Sequence, residues 1–187
     1  EVIDAAATKP FGFTPFYPGP GLGGHCIPVD PHYLSWKLRT LNYQARFIDL
    51  AAEVNTSMPH HVVNLATDIL NQDEKSVKGS KILILGMAYK PDVADLRESP
   101  SLDIFKLLEE KGARVSFHDP HADSVVIGSK RIQGQVLSPA LLADQDLVLV
   151  ATNHSAYDMP LIVESSKRIL DTRNATKGLD SEKVTRL

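Results

Sequence analysis

The 187-residue sequence holds one cysteine, one tryptophan and three methionines. A single cysteine excludes an internal disulfide and suits a reducing compartment such as the cytoplasm. No apolar run approaches the roughly 20 residues that a bilayer span needs, and no signal-peptide pattern opens the chain, so no membrane partner is expected. Charge of one sign is also scarce. The net charge is −3, and residues 1–57 carry four Lys/Arg against five Asp/Glu. Such a balance argues against nucleic acid as a partner, so any phosphate contact must come from a few placed cations. The first residue is not Met, and EVIDAAATKP reads as the end of a helix, so the chain is expected to be a piece of a longer protein.

What is present falls into two regimes that meet near Lys78–Lys81. The expected units are residues 1–77, helical, and residues 78–187, an α/β domain. In the first, Asp30-Pro31 reads as a helix start, with Asp as the cap and Pro at the first helical position. Leu34, Leu38 and Leu41 then share one face. A second helical period runs through Phe47, Ala51 and Val54 and on through Val62, Ala66, Ile69 and Leu70, with Pro59 expected to kink or split it. His60-His61 should face solvent. These helices have no sheet of their own and read as a bridge between domains or a dimer contact.

After residue 80, strand and helix alternate. KILILG (Lys81–Gly86) has the continuous apolar run of a buried parallel strand. Ser99-Pro100 opens a helix bearing Leu102, Phe105 and Leu108 and closed by Gly112. Ala113–Pro120, Asp146–Thr152 and Arg168–Thr172 read as further strands, and Ser138-Pro139 starts a shorter helix. The succession predicts an α/β fold with a doubly wound parallel sheet and right-handed crossovers. Ligands of such sheets bind beyond the carboxyl ends of the strands, which directs attention to Gly86–Glu98.

The lone thiol lies in GPGLGGHCIPVDP (Gly19–Pro31), which packs four glycines and three prolines into thirteen residues. A lone cysteine is ordinarily a small buried hydrophobe. Here Gly21, Gly23 and Gly24 clear side chains from its approach, and the positive end of a helix follows, a setting that favours an anionic nucleophile. A metal site of His25, Cys26 and His32 with Asp30 is the rival, but the spacing matches no closed zinc pattern. No metal is expected.

GLGGHCIPVDP followed by YLSW, GMAYKPDVADLRESPSLDI (Gly86–Ile104) and DTRNA (Asp171–Ala175) occur in this order. Together they resemble the cysteine loop, the start of the UDP-binding domain and the closing strand of the UDP-glucose/GDP-mannose dehydrogenase family. The Gly-His-Cys-Ile-Pro-Val-Asp form is most similar to the branch acting on UDP-N-acetylhexosamines, UDP-N-acetylglucosamine among them. The UDP-glucose branch has Lys where this chain has Val29. The resemblance implies oxidation of a UDP-sugar at C6 to the carboxylate with two NAD, through a thiohemiacetal and a thioester on Cys26. It also implies a water-activating or charge-stabilising role for Asp30, whose cap reading stands beside it.

By the same resemblance Tyr17, Pro18, Gly19, Pro20, Gly21, Leu22 and Gly23 lie along the substrate, and Tyr89, Lys90 and Arg173 contact it. Cys26, Ile27, Pro28 and Val29 border the nicotinamide, and Arg97 reaches the NAD pyrophosphate. His118-Asp119 resembles the ribose-binding acid of a dinucleotide fold, yet the loop after the first strand lacks G-x-G-x-x-G, so this sheet reads as the UDP-binding relative. The family's NAD domain, with a catalytic lysine, asparagine and glutamate, lies upstream of such a segment. The chain alone is therefore expected neither to hold NAD tightly nor to turn over, and its helices over residues 30–72 to form a homodimer core. Two other classes stay open: a free-standing nucleotide-binding module and a thiol redox protein.

Overall fold

The computed structural model describes all 187 residues. Three helices come first: α1 (Val2–Ala7), α2 (Asp30–Arg39) and α3 (Arg46–Gln72). The rest is β1 (Lys81–Leu85), α4 (Pro100–Glu110), β2 (Arg114–His118), a hairpin of β3 (Ser124–Ile127) and β4 (Lys130–Gln133), α5 (Pro139–Asp144), β5 (Leu147–Val150), α6 (Met159–Ser165), β6 (Ile169–Asp171) and β7 (Val184–Arg186). The main sheet has five parallel strands in the order β2-β1-β5-β6-β7.

This is the doubly wound α/β sheet that the alternation predicts, with β7, α6 and the β3–β4 hairpin added. In β1, Ile82 and Ile84 pack with α3 and α4, while Leu83 and Leu85 pack with Leu142 of α5 and Ile162 of α6. Strand side chains alternate between faces, so a run with no polar position is buried on both. Burying each such side chain contributes roughly 1.5–3 kcal/mol.

The Ser-Pro starts act as expected. Ser99 Oγ accepts the Ser101 N–H at 3.4 Å, and Ser138 Oγ accepts the Leu141 N–H at 3.2 Å. Asp30 differs. Its side chain caps nothing, because Cys26–Val29 already turn helically and the Asp30 N–H donates to the Cys26 carbonyl at 2.8 Å. Pro59 differs too: α3 runs unbroken for 27 residues with Pro59 buried inside it. Its missing N–H leaves the Asn55 carbonyl without an intrahelical donor, and that oxygen lies against Gly21, where a Cβ would meet it at 3.3 Å.

α3 serves two surroundings. Val62, Val63, Ala66, Ile69 and Leu70 join the sheet's core, whereas Phe47, Leu50 and Val54 stand exposed with Leu34, Trp36 and Leu41 of the α2 region. His60 and His61 are exposed as well. Beyond α3, Asp73 takes three bonds from the Arg168 guanidinium, the shortest 2.6 Å, and Lys75 pairs with Asp146 at 2.6 Å, fastening the helix end beneath the sheet. No helix is long and apolar enough to cross a membrane.

Candidate functional site

β1 lies between β2 and β5, so successive connections leave it in opposite directions, and ligands of such sheets bind at this switch point, beyond the carboxyl ends of β1 and β5. Three chain segments reach it: the loop Gly86–Ser99 after β1, residues 151–158 after β5, and Thr172–Ala175 after β6.

The loop after β1 is fastened at its base. Asp119, buried at the end of β2, accepts the N–H groups of Met87 (2.6 Å) and Ala88 (3.0 Å) on Oδ2 and that of His121 (2.8 Å) on Oδ1. Burial pushes the Asp119 carboxyl up, but these bonds and one from His154 outweigh it and hold it at about 2. In a dinucleotide-binding sheet this acid would face a ribose and such N–H groups a pyrophosphate. Here each is spent on the other. Thr152 Oγ1 donates to the Ala88 carbonyl at 2.6 Å and closes the base from the β5 side.

Farther out stand the cations. Lys90 Nζ lies 5.2 Å from the centroid of the Tyr89 ring and makes no ion pair. Arg97 is exposed and forks onto Asp95, its Nη2 at 2.6 Å from Oδ2; that contact brings the Asp95 carboxyl down to about 2 and raises the guanidinium. Arg173 differs from both. It is half-buried, its Nε donates to the Ala151 carbonyl at 2.9 Å, and no carboxylate pairs with it; burial lowers its basicity from the ordinary arginine value. The neighbouring Asp171 is occupied, accepting the N–H groups of Arg173 (2.9 Å) and Thr176 (2.7 Å) and the Thr176 hydroxyl (2.7 Å).

The glycine-rich loop docks onto this end of the sheet. The Gly24 N–H donates to the Arg97 carbonyl at 2.9 Å, across 73 positions of sequence. Gly24 has φ +97°, and any Cβ there would meet the Tyr89 ring at 2.8 Å. A Cβ on Gly19 would collide with the Arg173 guanidinium. The glycines thus admit Tyr89 and Arg173, two of the residues expected to touch substrate, rather than leaving open space. Gly21 packs on Pro100 in the same way.

The expected residues are therefore brought together in part. Gly19, Gly21, Gly23 and Gly24 meet Tyr89, Pro100 and Arg173, and Pro20 is buried among them. Tyr17 points elsewhere: its hydroxyl donates to Asp4 at 2.9 Å, a bond that raises the phenol and lowers the carboxyl. Cys26 is exposed, and its Sγ has one polar neighbour, His25 Nδ1 at 3.8 Å. Asp30, also exposed, sits one helical turn beyond the thiol, with its carboxylate unengaged. Leu22, Ile27 and Val29 present apolar surface to solvent, and Pro28 is half-buried.

Sequence reasoning missed His154. Its ring is buried, Nδ1 accepts the Asp92 N–H at 3.0 Å, and Nε2 faces Asp119 Oδ2 at 3.1 Å. Asp92, His121 and His154 offer ligand atoms within 4.8 Å of one another, close enough for a cation, yet both His154 nitrogens are already committed to protein partners. The available signal was Thr152-Asn-His154 at the end of a fully apolar strand.

Fold and site define a class first: an α/β protein with a Rossmann-like nucleotide-binding sheet preceded by a helical segment. Residues 83–178 match the UDP binding domain of the UDP-glucose/GDP-mannose dehydrogenase family, and residues 1–57 match its central domain. The chain belongs to that family. It is 38% identical over 140 residues to a UDP-N-acetyl-D-mannosamine dehydrogenase of Methanococcus maripaludis, covering 75% of this chain and 30% of that protein. It is 30% identical over 158 residues to a UDP-N-acetyl-D-glucosamine 6-dehydrogenase of Salmonella typhi, covering 84% of this chain and 36% of that one. Among solved structures, a UDP-D-ManNAc dehydrogenase of Pyrococcus horikoshii superposes with TM-score 0.81 at 26% identity, over 99% of this chain and 43% of that one. The chain thus spans about a third of the length of these curated relatives.

Proposed function

We propose that this chain supplies the UDP-binding sheet and the covalent nucleophile of a UDP-N-acetylhexosamine 6-dehydrogenase. The observation that carries the reading is Arg173, a half-buried cation without a carboxylate, set at the strand ends against the glycine loop that leads to the only thiol. With Lys90 it provides two uncommitted positive charges where a diphosphate bears two negative ones. Tyr89, whose ring lies beside Lys90 Nζ, adds an aromatic surface to the same loop.

Cys26 is free to act on a sugar lying along Tyr17–Gly23. Oxidation of a C6 alcohol first gives an aldehyde, which has no hydride to lose until a nucleophile adds. The thiolate adds to that carbonyl carbon, forming the C–S bond of a thiohemiacetal. Loss of hydride from C6 and of the hydroxyl proton leaves a thioester, and water cleaves C–S to give the carboxylate and the thiol. Asp30, four residues on from Cys26 and with an unengaged carboxylate, would take a proton from that water or stabilise the charge that develops.

Ile27, Pro28 and Val29 are an apolar surface suited to a flat ring, and exposed Arg97 suits a pyrophosphate, so these residues fit the edge of an NAD site. Two NAD would accept the two hydrides, and Arg97 would hold the phosphates near Cys26 once freed from Asp95. A second copy of the chain, packed on Phe47, Leu50 and Val54, would cover the exposed face of α3 as a homodimer.

Calorimetric titration with UDP tests the binding half. Wild type should bind, and Lys90→Ala and Arg173→Ala should each weaken binding by about tenfold or more, the scale of one charge-assisted hydrogen bond. Equal affinity in all three would refute the reading. Competition between UDP-N-acetylglucosamine, which the sequence favours, and UDP-N-acetylmannosamine, the sugar named in several relatives, resolves the epimer.

A further inference from the structure

The loop that carries Tyr89 and Lys90 is held at two points, and one buried ring joins them. Met87 and Ala88 donate to Asp119 Oδ2; His154 Nε2 reaches the same oxygen; His154 Nδ1 accepts from the Asp92 N–H. Only one tautomer satisfies this chain: the proton rests on Nε2 and Nδ1 keeps its lone pair. Asp92 itself is in the left-handed region, φ +60°, an unfavourable conformation for a residue with a side chain, and Ser155 fixes it further by donating N–H (2.8 Å) and Oγ–H (3.0 Å) to Asp92 Oδ1. Tyr89 and Lys90 lie between the two fastened ends.

Building on the nucleotide reading above, we infer that neutral His154 is a positioning residue that clamps residues 87–92 for diphosphate binding, and that proton uptake by its ring opens the clamp. An added proton on Nδ1 would face the Asp92 N–H, donor against donor, and the bond would be lost. The nearest alternative acceptor is Asp92 Oδ1, 3.9 Å from Nδ1, and turning toward it competes with Ser155.

Two carboxylates face the ring, Asp119 Oδ2 at 3.1 Å from Nε2 and Asp92 Oδ1 at 3.9 Å from Nδ1. From the end of β2, His121 stands 5.0 Å away, centroid to centroid; from the segment before α6, Tyr157 stands 5.5 Å away and bridges in turn to His118 at 5.8 Å. His121 also lies 3.8 Å from Asp92 Oδ1, so it needs its own control.

The test pairs UDP calorimetry with amide hydrogen exchange at Asp92, on the full chain, at about pH 7.5 and about pH 5.5, between which an ordinary histidine takes up its proton. Wild type should lose about fivefold or more in UDP affinity on acidification, and the Asp92 amide should lose protection in step. His154→Gln, whose amide can donate to Asp119 and accept from Asp92 but does not titrate, should bind within about twofold of wild type and show no acid loss. His154→Leu should bind about tenfold more weakly at both pH values, with the Asp92 amide unprotected. His121→Gln should keep the acid loss.

Wild-type affinity and protection in His154→Leu, an undiminished acid loss in His154→Gln, or its disappearance in His121→Gln would each overturn the clamp. Should His154→Leu not fold, the Gln variant and the pH profile decide alone. If wild type binds no UDP while Asp92 protection still depends on His154, the clamp stands and the nucleotide reading fails. If Lys90→Ala weakens UDP while His154→Leu changes nothing, the reverse holds.

Discussion

The two halves of α3 have the same apolar spacing and opposite fates. Before Pro59, Phe47 is 88% exposed, Leu50 53% and Val54 51%; after it, Val62, Ala66 and Leu70 are at 0%. Helical periodicity says that one face will be covered, not what covers it. The second half lies on this chain's own sheet. The first half has α2 beside it, bound chiefly through Asp49, which takes Ser35 Oγ at 2.6 Å and Arg39 Nη2 at 2.9 Å, while its apolar residues face outward. In the homodimer proposed above, a second copy would cover this surface.

That contrast should break first under truncation. Leu70→Ala removes a fully buried side chain between α3 and the sheet and should cost about 2–5 kcal/mol in urea unfolding. Phe47→Ala, on the other half of the same helix, should cost less than about 0.5 kcal/mol in dilute solution. Light scattering should then reveal it by lost self-association at high concentration. A large stability loss from Phe47→Ala in monomer would mean that the two halves are covered alike.

Acid sharpens the comparison at a smaller scale. The folded-state carboxyl of Asp119 sits at about 2, below its ordinary 3.8, so its contribution is complete above about pH 4 and drains away as pH falls toward 2. The shift corresponds to about 2 kcal/mol. Asp119→Asn should lose that much at neutral pH and flatten the acid limb of the stability profile. In the first half Asp49 is also drawn down, by Ser35 and then Arg39, but on a partly exposed edge that salt screens. Asp49→Asn should change stability little, and less still in high salt. Equal acid limbs in Asp119→Asn and wild type would remove Asp119 from the ledger.

The sheet was readable because its central strand has no polar residue after Lys81, and α4 and α5 because Ser-Pro is an explicit start. β7 was not: Val184–Arg186 is three residues at an edge, partly exposed, with no period to read. The β3–β4 hairpin and α6 have only short local signals, Gly128-Ser129 as a turn and Asp158 two residues before Pro160 as a cap; Asp158 Oδ1 does accept the Leu161 N–H at 3.1 Å. Asp30 misled because helical turning begins at Cys26, before the residue that looks like a cap. The site divided similarly. Its motifs announced themselves one at a time, but Gly24 on Arg97 and His154 between Asp92 and Asp119 are juxtapositions that only the fold creates.

Cys26→Ser should have the smallest effect on the folded chain and the most decisive one on chemistry. The thiol is exposed, packs into no core and has His25 as its one hydrogen-bonding neighbour, so the substitution should shift stability by less than about 0.5 kcal/mol. UDP affinity should not move, because the cations at the strand ends do not depend on the sulfur. A hydroxyl in its place is a far weaker nucleophile near neutral pH and forms no thioester, so any form of the protein that makes the sugar acid should stop making it. If the serine variant instead unfolds easily or loses UDP, the thiol is a packing or contact residue, and the glycine loop exists to dock on the sheet and not to present a nucleophile.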